Sequence, residues 1–260
     1  MTPVATPPAT VATLRKSARR HSCGSLPERI WRSILHWIVI KTGRLLFLLI
    51  CRVHVVEIAP VPRQGALIMA SNHISHFDPS IISGFFPRRI DWLAMEEIFC
   101  SFWSKHFFTW LNCIPVNRNG SDRTALRNAL HRLADHRVIG IFPEGGLRTG
   151  EWSILNGAPM KPGLAALSMH SGIPVIPCVL IGSDHLYKPA NWLHRTSIYL
   201  LIGEAVEPPK EDALQTGAKE RFASELAKAF TSMKEEAVMR FGISSKDLPQ
   251  SPQHRKGEHP

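Results

Sequence analysis

A chain of 260 residues, 44% hydrophobic and 20% charged, has apolar content enough for one large core and is excluded from the disordered class. Its formal net charge is +10, and residues 1–60 carry +7 of it, nine Lys and Arg against Glu28 and Glu57. Such a basic front end suits an anionic partner surface. The five cysteines (Cys23, Cys51, Cys100, Cys113, Cys178) have no paired spacing, which argues against a disulfide framework and for free thiols in a reducing compartment.

Residues 1–28 are rich in Pro, Thr, Ala and Arg and are expected to be a disordered basic tail. Residues 1–26 also have the composition of an organelle transit peptide. Residues 29–52 hold two apolar runs split by KTGR, with Lys41 and Arg44 at the centre. Neither run reaches the roughly 20 apolar residues of a spanning helix. The segment is therefore expected to be a membrane-associating interfacial helix, or two short helices breaking at Gly43, with a core-packing helix as the alternative. Trp31, Trp37 and the basic flanks favour the interface, where indole and guanidinium groups settle.

From residue 53 to 242 strand and helix signals alternate. Strands are expected over Ala66–Ser71, Ile90–Ala94, Cys113–Asn117, Val138–Phe142, Val175–Ile181 and Ser197–Ile202. Helices are expected over Pro79–Phe86, Glu96–Trp110, Asp122–Asp135, Pro162–Ser171 and Ala218–Phe241. The alternation predicts a single α/β domain with a central mostly parallel or mixed sheet flanked by helices. Residues 243–260, polar and Pro-containing, are expected to form a disordered C-terminal tail.

The chemistry-bearing residues cluster just past the strands. In SNHISHFDPS, Asp78 precedes Pro79 and an apolar run, a common helix start. His73 lies five residues earlier, at the strand end. A turn there can bring the carboxylate onto the imidazole, fixing its tautomer so that the other ring nitrogen takes a proton from a hydroxyl. No serine nucleophile accompanies the pair, so a substrate hydroxyl would attack directly. Two other readings stay open at this point. His73, His76 and Asp78 could hold a metal for a hydrolase, although His-x-x-His-x-Asp is not the His-x-His-x-Asp-His spacing of metallo-β-lactamase-type sites. His73 could also be a core histidine.

CIPVNRNGSD puts Arg118 between a strand and a helix start, a place suited to phosphate. GIFPEGGLRTG presents Glu144 at a strand tip, with Gly145 and Gly146 permitting close approach of a ligand and Arg148 able to meet an anion. SGIPVIPCVLIGSDH carries Ser183, Asp184 and His185 at the tip of a very apolar strand. Loops beyond the carboxyl ends of strands are where open α/β sheets bind ligands, so these motifs point to one shared site.

Taken in order, the motifs resemble those of the 1-acylglycerol-3-phosphate acyltransferase (glycerolipid or lysophospholipid acyltransferase) family. NHISHFD gives Asn-His-x4-Asp with Asn72, His73 and Asp78, and NCIPVNR supplies Ile114, Pro115, Val116 and Arg118. FPEGG matches through Phe142, Pro143, Glu144 and Gly145, and IPVIPCV is the two-proline apolar strand, preceded by the Lys-x-Gly helix start KPG. The resemblance spans roughly residues 50–205. It implies His73 as general base and Asp78 as its orienting carboxylate. It also implies an acceptor and phosphate site that includes Asn72, Arg118, Glu144, Gly145, Gly146 and Arg148. The acyl donor would be an acyl-CoA or acyl-ACP thioester and the acceptor most naturally 1-acylglycerol-3-phosphate, giving phosphatidic acid. Another lysolipid or glycerol 3-phosphate is the alternative acceptor. The family needs neither a metal nor an organic cofactor. Its N-terminal helices dock on an anionic bilayer, implying membrane lipids as partners and the cytoplasmic face of the cell membrane, or an organelle membrane, as location. No nucleic-acid-binding motif is present. Departures fall on the acceptor side: Asn112, Asn117, Gly146 with Leu147, and Met95 with Glu96 where members often have lysines.

Overall fold

The computed structural model describes residues 26–117, 123–209, 217–245 and 247–249. Residues 1–25 of the tail expected over 1–28, Arg118 and residues 250–260 lie outside these described residues, while residues 26–28 belong to a helix rather than to the tail. Seven strands form one sheet: β1 (Cys51–Glu57), β2 (Leu67–Ser71), β3 (Ile90–Met95), β4 (Ile114–Val116), β5 (Val138–Ile141), β6 (Val175–Ile181) and β7 (Thr196–Ile202). The described helices are α1 (Leu26–Ile50), α2 (Asp78–Phe85), α3 (Phe102–Trp110), α4 (Arg123–Ala134), α5 (Gly163–Ser171), α6 (Ala190–Leu193) and α7 (Ala218–Phe241). The strand order is β1-β7-β6-β2-β5-β3-β4. Every neighbouring pair is parallel except β6 and β7, so β7 and β1 run against the other five and the sheet is mixed.

The strand period of two sorts the core. In β2, Leu67 and Met69 face a cluster with Phe47 of α1 and Ile81, Ile82 and Phe85 of α2. Ile68 and Ala70 face the opposite cluster, built with Ala129 and Leu133 of α4, Leu164 and Leu167 of α5 and Phe222, Leu226 and Phe230 of α7. Helices thus cover both faces, which is why β2 and β6 are buried along their whole length and read as apolar runs, with Ser71 at the end of β2 the one polar residue. Each fully buried Leu, Ile or Phe contributes about 1.5–3 kcal/mol, so α7 is held by its apolar stripe rather than by propensity.

Four expectations change. First, β1 follows α1 directly and was not anticipated, and residues 51 and 52 belong to it rather than to the helical segment. As an edge strand with four of its seven residues exposed it lacks a buried apolar run of its own. Second, α1 is one unbroken helix of 25 residues, with no break at Gly43. Nothing lies within 4 Å of the point where a Gly43 side chain would begin, and a lone glycine costs a helix only about 1 kcal/mol. Its Ser33–Ile50 stretch is long and apolar enough to cross a membrane, by length and composition. Third, the expected helix over 96–110 divides into a 3₁₀ turn, Glu96–Phe99, and α3. Fourth, the body runs past residue 242. Ile243 is buried, Leu248 packs on the core, and the Pro249 carbonyl accepts the Gly150 N–H at 3.2 Å.

Candidate active site

β2 lies between β6 and β5 at the centre of the sheet, and the chain leaving it forms the site. Asn72 comes first. Its Nδ2 donates to the Leu180 carbonyl and its Oδ1 accepts the Leu180 N–H, both at 2.8 Å, and the residue is fully buried. The expected substrate contact at Asn72 is therefore corrected: both ends of its amide are spent on β6. Its work is to pin the exit of β2 so that the next residue, His73, points off the sheet.

Asp78 opens α2 with Pro79 behind it. The expected helix cap is only half right, because the carboxylate turns back toward the preceding turn. Oδ2 accepts the N–H groups of Ile74 (2.7 Å) and Ser75 (2.9 Å) and meets His73 Nδ1 at 2.8 Å. Oδ1 accepts the hydroxyls of Ser75 (2.6 Å) and Ser183 (2.5 Å). Five donors on one fully buried carboxylate leave it no other orientation.

The imidazole is held from its face as well. Phe142 stacks on it with ring centroids 4.0 Å apart at 15°, and Trp92 stacks on Phe142 at 4.6 Å and 9°. The Trp92 Nε1–H is anchored on the Ser83 hydroxyl at 2.8 Å. With Asp78 as acceptor the ring proton sits on Nδ1, and Nε2 carries the lone pair. The His73 side chain is 17% exposed, so the ring is seated yet reachable.

The tip of β5 grips the backbone of the same residue. Glu144 Oε2 accepts the His73 N–H at 2.5 Å, and the Arg148 N–H donates to the His73 carbonyl at 2.8 Å. Glu144 Oε1 accepts from Ser153 Oγ (2.8 Å) and the Ile154 N–H (2.9 Å). At 5% exposed with both oxygens engaged, Glu144 is not open to an acceptor, and that expectation is also corrected. Gly145 takes φ +69° and Gly146 is half-buried. The Lys161 stem lies against Gly145, and the Lys161 N–H donates to the Pro143 carbonyl at 2.8 Å. The side chains of Arg148 and Lys161 are exposed on this loop cluster.

Burial pushes the Glu144 carboxyl up to about 7, against the opposing pull of its three donors. A folded-state value above the unfolded one means the fold binds an extra proton between about 4.5 and 7. The associated stability is complete below 4.5 and is lost as pH rises toward 7. The melting temperature of the wild-type chain is expected to decline across that window. Glu144→Gln removes the slope and lowers the plateau by about 1–3 kcal/mol, because its amide NH₂ then faces a donor. Melting curves of both proteins from pH 4.5 to 7.5 check this, and equal slopes would count against it.

The β6-tip motif points to the shared site, but sequence reasoning assigns Ser183 no role there; its bond to Asp78 is what the structure adds. Gly182 at φ +90° turns the chain there, and any side chain at Gly182 would run into the Ser197 carbonyl. Ser183→Ala removes one donor from Asp78 and leaves no buried donor unpaired. Its expected effect is a kcat loss of roughly 5- to 10-fold, equivalent to about 1–1.5 kcal/mol, with KM unchanged. A rise in KM instead would place Ser183 in substrate binding. The neighbouring His185 has its Nδ1 3.5 Å from Thr196 Oγ1.

The metal alternative loses its geometry. His73 Nδ1 is turned on Asp78, whereas His76 Nδ1 meets the Tyr187 hydroxyl at 2.5 Å. Among the described residues no three His, Cys, Asp or Glu converge on a point that could hold an ion. Glu96 accepts from Asn117 Nδ2 at 3.2 Å, tying the ends of β3 and β4. The arrangement can therefore do one thing well: an imidazole oriented by a locked carboxylate takes a proton from a hydroxyl brought to Nε2.

Comparison with known proteins agrees with the motifs. Residues 52–181 match the family model described as Acyltransferase. The chain is similar to a 1-acyl-sn-glycerol-3-phosphate acyltransferase of Bacillus subtilis (strain 168), at 24% identity over 168 residues, which cover 63% of this chain and 77% of that one. In fold it is similar to the crystal structure of PlsC, the 1-acyl-sn-glycerophosphate (LPA) acyltransferase from Thermotoga maritima. That match has a TM-score of 0.62 and 21% identity, covering 88% of this chain and 92% of the other.

Proposed function

The chain belongs to the acyltransferase family, and from that premise we propose that it transfers a fatty acyl group from an acyl-CoA or acyl-ACP thioester to the free hydroxyl of 1-acylglycerol-3-phosphate, giving phosphatidic acid. The observation that carries this reading is the 2.8 Å bond between His73 Nδ1 and an Asp78 carboxylate that four further donors hold in place. Nε2 takes the acceptor's hydroxyl proton as the oxygen attacks the thioester carbonyl. The C–S bond then breaks, and Nε2 returns the proton to the departing thiolate. An ester and a free thiol leave, and His73 is neutral again, so the cycle calls for no metal or organic cofactor. Asp78 stabilises the transient imidazolium through its charge.

The acceptor's phosphate requires cations near the pair. Lys161, Arg148 and Arg118 are the groups of this reading, with Gly145 and Gly146 giving the headgroup access to backbone. The exposed apolar side chains of α1, among them Trp31, Trp37, Leu45 and Leu49, support docking of the domain on an anionic bilayer. The cytoplasmic face of the cell membrane is the proposed location, or an organelle membrane if residues 1–26 act as a transit peptide. No nucleic-acid partner enters the reading.

The test is acyl transfer by the detergent-solubilised full chain. Long-chain acyl-CoA and acyl-ACP are each offered with 1-acylglycerol-3-phosphate, glycerol 3-phosphate and a lysophosphatidylcholine. Product from 1-acylglycerol-3-phosphate alone upholds the whole reading. Product only from another acceptor keeps the chemistry and replaces the substrate. Absence of product from every pair sinks it.

A further inference from the structure

The connector from β6 to β7 serves two ends of the molecule. At its start Ser183 donates to Asp78, and Tyr187 meets His76. Past that point the chain turns outward into α6, a helix of four residues with no buried member. Leu193 is 86% exposed and Trp192 42% exposed. The indole N–H of Trp192 donates back to the Leu186 carbonyl at 2.9 Å, so the part left outside is the apolar ring. Arg195 then donates to the carbonyls of Leu48 (2.8 Å) and Cys51 (3.4 Å). That places the tip of the connector beside the last two turns of α1, where Leu45 and Leu49 are more than half exposed. From His185 to Arg195 there is no Asp or Glu, and Lys188, His194 and Arg195 are exposed around the apolar tip.

We propose that α6 is a second membrane-contacting element, inserting Trp192 and Leu193 into the headgroup region of an anionic bilayer next to the C-terminal end of α1. Three features select a lipid surface as the occupant. The apolar tip continues the exposed face of α1. Its cationic collar complements anionic headgroups. The tryptophan has its polar edge satisfied by protein and its ring free, which suits the level where indoles settle in bilayers. The site end and the membrane end of this connector are only ten residues apart, from Ser183 to Leu193, so lipid contact at the tip holds the His73–Asp78 pair close to the bilayer where an acyl acceptor resides.

The inference rests on the reading of α1 as the docking helix, and its test separates the two. The full chain carries Cys23→Ser and Cys100→Ser, and an environment-sensitive fluorophore is attached in turn at Leu193→Cys, Leu45→Cys and Met239→Cys. Met239 is 79% exposed on α7, which packs on the face of the sheet opposite α1. Each protein is reconstituted in vesicles of phosphatidylcholine and phosphatidylglycerol, some brominated near the top of the acyl chain. Quenching at positions 193 and 45 but not 239 is the expected result. Quenching at 45 without 193 overturns the role of α6 and leaves α1 docking intact. No quenching at either overturns both. A label at 193 that becomes shielded with protein concentration in the absence of lipid indicates a second copy of the chain as the occupant, which also overturns the proposal. In parallel, Leu193→Glu is expected to lower turnover of a bilayer-embedded acceptor roughly fivefold while sparing a soluble short-chain acceptor. Equal loss on both overturns it as well.

Discussion

Replacing His73 with alanine is expected to lower acyl transfer about a thousandfold, the scale of a lost general base. The effect falls on kcat, because His73 is assigned the proton and not the grip on either substrate. Stability should move little. The ring is at the rim of the site, its stacking on Phe142 is worth about 1 kcal/mol, and Asp78 keeps four other donors. Single-turnover transfer and a melting curve on the same preparation separate the two roles. A variant that unfolds shows a structural histidine. A folded variant that retains a tenth of wild-type activity shows that the proton is taken by another group.

Asp78 supplies the second large effect, and two substitutions divide it. Asp78→Asn can set its carbonyl oxygen where Oδ2 was, accepting from His73, Ile74 and Ser75. Its NH₂ then faces the hydroxyls of Ser75 and Ser183, which can rotate to accept. The tautomer and fold survive, and only the negative charge opposite the imidazolium disappears. The expected outcome is a loss of kcat of about a hundredfold with a near-native melting temperature. Asp78→Ala instead strands the buried N–H groups of Ile74 and Ser75, at about 1–3 kcal/mol each, so it should lose activity and several degrees of melting temperature together. Equal stability losses in both variants would mean that the Asn side chain does not adopt the carboxylate's place.

The family's motif positions were legible as a cluster, but their division of labour was not. A strand-to-helix seam with His73, Asp78 and Pro79 announces itself locally, because the two partners are five residues apart and share one turn. Glu144 reads as ligand-facing because polar side chains at strand tips usually are, and Asn72 because the family resemblance implies it. Their real partners are a backbone 108 residues away on β6 and one 71 residues back at His73, and no local pattern encodes such distances. Ser183 was hidden the same way, 105 residues from the carboxylate it serves. The long central strands were easy to read. VIPCVLI, buried on both faces, has one interpretation. CRVHVVE, mostly exposed at the edge and joined to an apolar helix, loses its first two residues to that helix and offers no strand signal in the rest.

That junction between Ile50 and Cys51 has a mechanical meaning. α1 passes into β1 without an intervening loop, and β1 is locked to β7 in register from Cys51 to Glu57. The helix is therefore geared to the sheet: its rotation about its own axis is dictated by the strand that follows. One residue inserted at the junction advances the helix by about 100° and swings its apolar stripe around the shaft like a mistimed crank. The helix and the His73–Asp78 pair form a phased couple, and the heading of the exposed apolar face of α1 relative to the candidate site is set at a single peptide link.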